Sequence, residues 1–220
     1  MQKETKLAKL LENPNIGHNG GNPNAKLWFC GLENNADDFC EQHNINLING
    51  NNEPINQEWC PFNNFIWKIL NNLNYNPSEN AEEMYKSNNF FCANLYPFAC
   101  RSKKDETNIH ELTGFTKEQY YNFCDITRHQ NKAWQDFYKK SRIIICFGIS
   151  KIESFIMQFT TNAEEFESAM IQYWQYYTNA NINNDGILIK LNNRTLLICH
   201  HPSHKKPDIK NIVKHINKIS

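Results

Sequence analysis

Thr195-Leu196-Leu197-Ile198-Cys199-His200 is an apolar run that stops dead at His201-Pro202-Ser203. A second run, Lys26-Leu27-Trp28-Phe29-Cys30-Gly31-Leu32, breaks just as abruptly into Glu33-Asn34-Asn35. Two more runs lie between them, so that 26–32, 89–95, 142–148 and 194–200 all read as short strands rich in Phe, Ile and Leu. Runs this short and this continuously apolar are strands covered on both faces. In open α/β proteins ligands bind where parallel strands end. The polar turns after 32 and 200 therefore nominate one site built from both ends of the sequence.

The intervals between the strands carry helical spacing. Phe65 to Leu73 has apolar residues at 65, 66, 69, 70 and 73. Thr116 to Lys140 turns Tyr120, Phe123, Trp134 and Phe137 inward, with room for a break. Ser150–Phe159, Ala163–Tyr176 and Pro207–Ile219 follow, Pro207 standing at a first helical position. Ile187 to Leu191, the turn Asn192-Asn193 and the run from Arg194 read as a hairpin feeding the last main strand. Strand–helix alternation predicts an α/β fold, a three-layer α/β/α arrangement around a central, mostly parallel four-stranded sheet. Without repeats or a linker, residues 1–220 read as one domain, and 33–58 reads as a long polar loop.

Composition narrows the class. No stretch approaches the roughly 18 apolar residues of a membrane span, and Met1–Leu11 lacks the apolar core of a signal peptide. The eight cysteines, at 30, 40, 60, 92, 100, 124, 146 and 199, form no C-x-x-C pair. That spread predicts reduced thiols in a cytoplasmic protein, with neither zinc ribbon nor iron–sulfur signature. The formal net charge is zero, yet Lys190, Arg194, Lys205, Lys206, Lys210, Lys214 and Lys218 face only Asp208 over the last stretch, while acids gather at 33–41 and 164–167. A one-sided basic patch is the footprint of a nucleic-acid binder, or else a solvated terminal helix. The asparagine runs, such as Asn49 to Asn52, read as turns.

Four stretches in chain order, Gly31-Leu32-Glu33, Trp59-Cys60-Pro61-Phe62-Asn63-Asn64-Phe65-Ile66-Trp67-Lys68, Asn89 to Asn94 and His201-Pro202-Ser203, together resemble the uracil-DNA glycosylase superfamily. The second is similar to the Pro-x-Asn-x-Phe stretch of its mismatch-specific uracil/thymine branch, with one residue inserted before Trp67. The resemblance implies catalytic roles for Glu33 and His201. A carboxylate beneath the anomeric carbon offsets the positive charge that grows on the sugar as the base departs. A histidine donor to the pyrimidine O2 stabilises the negative charge on the leaving base. It further implies that Asn94 reads the Watson–Crick edge of a flipped base, that Trp59, with Phe62 in reserve, stacks on it, and that Asn35 lies beside C5. Ser203, His204, Lys205 and Lys206 would hold phosphate and wedge the duplex. Phe65 and Trp67 read instead as core anchors of the following helix.

The first turn departs from the family pattern, having Asn34 and Asn35 where Pro and then Gly or Tyr are usual. What the resemblance implies is a cytoplasmic, monomeric, monofunctional DNA N-glycosylase. It would work without metal or cofactor and excise an abnormal pyrimidine during base excision repair. Neither catalytic candidate, Glu33 nor His201, offers an amine for a Schiff base, and Lys205 and Lys206 are assigned to the DNA. Two alternatives stand beside it: a defence glycosylase acting on a bulky modified base in phage DNA, and a weakly catalytic member that binds nucleic acid or a nucleotide. His200, His201 and His204 could also hold a metal, but Pro202 breaks the helical spacing of familiar zinc pairs.

Overall fold

A computed structural model describes residues 2–32, 40–51, 61–99, 103–178, 186–202, 205 and 207–219. In chain order the elements are α1 (Gln2–Leu10), β1 (Gly20–Gly21), β2 (Leu27–Gly31), α2 (Cys40–Ile48), α3 (Pro61–Asn72), α4 (Ala81–Met84) and β3 (Phe90–Asn94). There follow α5 (Lys103–Thr113), α6 (Lys117–Gln130), α7 (Lys132–Tyr138), β4 (Ile143–Phe147), α8 (Ile152–Phe159), α9 (Ala163–Thr178), β5 (Ile187–Lys190), β6 (Thr195–Cys199) and α10 (Ile209–Ile219). None of these helices is long and apolar enough to cross a membrane.

The strands form one mixed sheet in the order β1-β3-β2-β4-β6-β5. The four central strands run parallel, in register from Leu27↔Phe90 through Leu27↔Ile143 to Ile143↔Thr195. Every residue of β2, β3 and β4 is buried, as a sheet covered on both faces requires. Alternation along each strand then sorts side chains into two cores. Trp28, Cys30, Phe91, Ile144 and Leu196 pack with the inward faces of α1, α2 and α5 to α9. Leu27, Phe29, Phe90, Ile145 and Leu197 pack with α3, α4 and α10. These are the three layers expected of an α/β/α arrangement.

The sheet has six strands, where the sequence pattern predicts four. β5 is the first arm of the expected hairpin, antiparallel to β6. β1 is two glycines pairing antiparallel to β3, and carries no hydrophobic pattern to announce it. The long helix expected over 116–140 is two helices. Asn131 ends α6, and its side chain accepts the Ala133 N–H to start α7. The stretch expected as a loop over 33–58 contains α2. Pro207 lies outside α10, which is capped by Asp208, whose Oδ1 accepts the Lys210 N–H at 2.8 Å.

Candidate active site at the carboxyl edge of the sheet

The strand order reverses between β2 and β4. From β2 the chain goes to its neighbour β3 on one side, and from β4 to β6 on the other. The carboxyl ends of such a strand pair leave a crevice in which α/β proteins bind ligands. Here those ends are Gly31-Leu32 and Phe147-Gly148. Gly148 has φ +148°, a conformation that favours glycine, and a Cβ there would sit 2.8 Å from the Leu32 side chain. A Cβ on Gly31 would meet Asn94 Oδ1 at 3.1 Å and Phe62 Cζ at 3.7 Å. The tip of β2 is thus the point around which Asn94 and Phe62 converge.

Phe62 stands in the first turn of α3, set there by Pro61 at a position where a missing N–H costs nothing. Asn63 beside it is buried and accepts the Tyr85 hydroxyl at 2.6 Å, fixing the helix start from below. The Phe62 ring meets Phe147 edge-on at 5.3 Å and lies parallel to the His201 imidazole, centroids 5.8 Å apart and planes 6° from coplanar. His201 follows β6, half-buried, with Pro202 buried after it. The Lys205 N–H donates to the His201 carbonyl at 3.2 Å, closing a turn that leaves Lys205 exposed. The neighbouring His200 has its pKa held below the usual imidazole value by burial and by the Lys205 charge. Phe65 packs edge-on to Phe147 in the core, and Trp67, half-buried, donates to the Pro77 carbonyl, both as expected of helix anchors.

Asn94 ends β3 and is buried. Its amide donates to the Gly17 carbonyl at 2.7 Å and to Asn19 Oδ1 at 2.9 Å, and its backbone N–H donates to His18 Nδ1 at 3.1 Å. With Nδ1 accepting, the His18 proton sits on Nε2 and is donated to the Pro14 carbonyl at 2.9 Å. Burial, helped by the Arg128 charge, lowers the His18 pKa to about 3, so the ring is neutral. The Arg128 guanidinium, wholly buried over the Trp134 ring, donates to the carbonyl of Leu95, the next residue. On the far side α2 completes the clamp. Asn44 bonds the Ala99 carbonyl and N–H, and His43 meets the Pro97 carbonyl.

Of the expected site residues, Asn94, Phe62 and His201 come together around the ends of β2 and β4. Glu33, Asn35, Trp59, Ser203, His204 and Lys206 lie outside the described residues. Both N–H donors of the Asn94 amide hold the chain's own segment 17–19. That segment, with Arg128, is what the sequence reading missed. Gly17-His18-Asn19-Gly20-Gly21, a histidine and an amide bracketed by glycines, carried a readable signal, for Gly17 has φ +72° against Pro97. Nothing in the sequence marked Arg128.

Chemically, an imidazole held parallel to an aromatic ring at a strand end can present an N–H to an acceptor on a planar ligand. Among the described residues no group of three His, Cys, Asp or Glu is placed to hold a metal ion. No protein-family model matches the chain, and no curated protein matches it.

Proposed function

We propose that the protein is a uracil-DNA glycosylase-like enzyme that hydrolyses the N-glycosidic bond of a pyrimidine flipped out of DNA and leaves an abasic site. The observation that carries this reading is the pairing of His201 with Phe62 at the reversal of strand order, beside Asn94 and directly after Gly31. Those residues come one from each of the four stretches in which the sequence resembles that superfamily. The six-stranded sheet, with four parallel central strands and helices on both faces, supports the reading at the level of the α/β class.

In this mechanism the base lies in the crevice, with the His201 imidazole donating to its O2 as negative charge builds there. Glu33, two residues beyond the tip of β2, balances the charge on the sugar and orients the attacking water. A His201 donor fixed before the reaction need not reorganise, which is where such sites gain their rate. Extrusion of the nucleotide costs least at mismatched, damaged or single-stranded positions, so the reaction favours those. We assign the reaction to a cytoplasmic monomer that acts on DNA without a cofactor.

Two observations favour other readings. Asn35, in place of a bulkier residue, suits a larger 5-substituted or hypermodified pyrimidine, as in a defence enzyme acting on phage DNA. The commitment of both Asn94 N–H donors to Gly17 and Asn19 suits a member that binds nucleic acid or a nucleotide without reading a base through that amide. Labelled duplexes carrying uracil, G·T mismatches or hypermodified cytosine separate the three. Alkali-labile strands from uracil or mismatch substrates support repair, and those from modified cytosine alone support defence. Binding without any alkali-labile product refutes the enzyme.

A further inference from the structure

The chain has no net charge, but the sheet divides its charges unevenly. α3, α4 and α10 cover one face; α3 and α10 contain no Asp or Glu and expose Lys68, Lys210, Lys214 and Lys218, while the acids of α4, Glu82 and Glu83, are paired with Lys86. The helices of the opposite face carry Glu4, Glu41, Glu106, Glu118, Asp136 and Glu164 among others. In α10 the buried residues are Ile212 and Ile216. Lys210, Lys214 and Lys218, four residues apart, therefore form one outward row with a rise of about 6 Å between neighbours. Like charges at that spacing weaken a helix, so the row has a cost that local structure does not recover.

Several surface cations elsewhere are matched, Lys86 by Glu82 and Glu83, Lys117 by Glu106 and Lys132 by Asp136, and what sets the α3–α10 lysines apart is their alignment in one row free of acids. Among the described residues none of Lys68, Lys205, Lys210, Lys214 and Lys218 has a carboxylate at ion-pair distance. Asp208, the one acid between residues 186 and 219, is taken up by capping α10. α3 and α10 pack on each other, and both begin at the candidate site. α3 starts with Phe62 in its first turn, and α10 follows the turn from His201 to Lys205. The unmatched row thus starts beside the Phe62–His201 pair and runs away from it down one face.

We propose that the α3–α10 face is a track for a nucleic-acid backbone. Lys205, Lys210, Lys214, Lys218 and Lys68 would contact the phosphates flanking the nucleotide held at the sheet edge. The assignment of that nucleotide rests on the glycosylase reading; the track itself requires only a nucleic acid. A regular line of positive charge meets a regular line of phosphates and carries no sequence information, which is the positioning role of such contacts. An anionic membrane is the poorer fit, because the apolar side of α10 is spent in the protein core and cannot enter a bilayer.

The test uses the full chain, unmodified labelled DNA as duplex and as single strand, and a series of salt concentrations. Lys210→Gln/Lys214→Gln/Lys218→Gln should flatten the plot of log affinity against log salt by about 0.9 per lysine on duplex, or about 0.7 on single strand. Lys104→Gln/Lys132→Gln/Lys139→Gln changes the net charge equally on the opposite face, where each lysine is ion-paired, and should leave the slope alone. An unaltered slope in the first variant, or an equal loss in the second, overturns the proposal. So does tighter binding to phosphatidylserine vesicles than to DNA at matched salt. Because the DNA carries no target base, failure to release any base from any substrate would refute the glycosylase reading and leave this measurement intact.

Discussion

Acidification from about pH 7.5 to about pH 5 should cost the fold roughly 4 kcal/mol through two histidines that packing holds neutral. Burial and then the Arg128 charge lower the His18 pKa from 6.5 to about 3, against the raising effect of its bond to Pro14. Burial lowers the His43 pKa from 6.5 to about 4, against the raising effect of Pro97. Since both folded values lie below the unfolded one, the unfolded chain takes up protons first. The stabilisation is whole above pH 6.5 and is lost as the pH falls from there toward 4 and 3. At about pH 5 each histidine is protonated when unfolded and neutral when folded, a difference of roughly 2 kcal/mol apiece. Asp125, whose carboxyl is pushed up by burial, works in the opposite sense and trims the total. Set against a typical stability of about 5 to 15 kcal/mol, the loss is large. Urea denaturation followed by circular dichroism at the two pH values measures it, and His43→Leu, which binds no proton, should reduce the pH dependence by about half. A wild-type stability that moves by less than about 1 kcal/mol would show that neither ring is held neutral, and with it that the clamp of His18 on Asn94 is wrong.

Asn94→Ala should destabilise the protein by about 2 to 4 kcal/mol, because the Gly17 carbonyl and the Asn19 side chain are left buried without their partner; equilibrium denaturation reads it, and a loss below about 1 kcal/mol would mean these bonds are not formed. On the substrate side, activity on 5-substituted pyrimidines should lie within about two decades of that on uracil, since a single methyl in an open pocket is worth only about 10–200-fold. Asn35→Tyr should suppress the 5-substituted substrates selectively. Strict uracil preference in the native protein, unchanged by that substitution, would place the guard of C5 elsewhere.

The central strands were legible because each is an unbroken apolar run, which only a doubly covered strand explains, and β2, β3, β4 and β6 fall inside the runs at 26–32, 89–95, 142–148 and 194–200. β1 was not, since two glycines held by backbone pairing to Cys92 and Phe91 present no side-chain pattern. α2 and α5 were hidden for a different reason. They turn polar groups inward: His43 and Asn44 from α2 against residues 97–99, and Asn108 from α5 against Asn44. A helix that buries amides shows no hydrophobic period. In the site, His201 and Phe62 could be nominated because strand ends and aromatic–proline turns are visible locally. The clamp on Asn94 could not, because its partners Gly17 and Asn19 stand 77 and 75 residues earlier in the chain and are joined to it only by the fold.

The most direct test of the central claim is single-turnover release of free base, measured beside DNA affinity, for the native protein, His201→Ala and Glu33→Gln on the same target-bearing duplex. The account predicts that each substitution slows release by about two to three orders of magnitude, the usual loss for one electrostatic group. Affinity should stay nearly constant, because phosphates supply most of it. Release that is unaffected by either change, or that falls only in step with binding, would contradict the claim that His201 and Glu33 carry the chemistry.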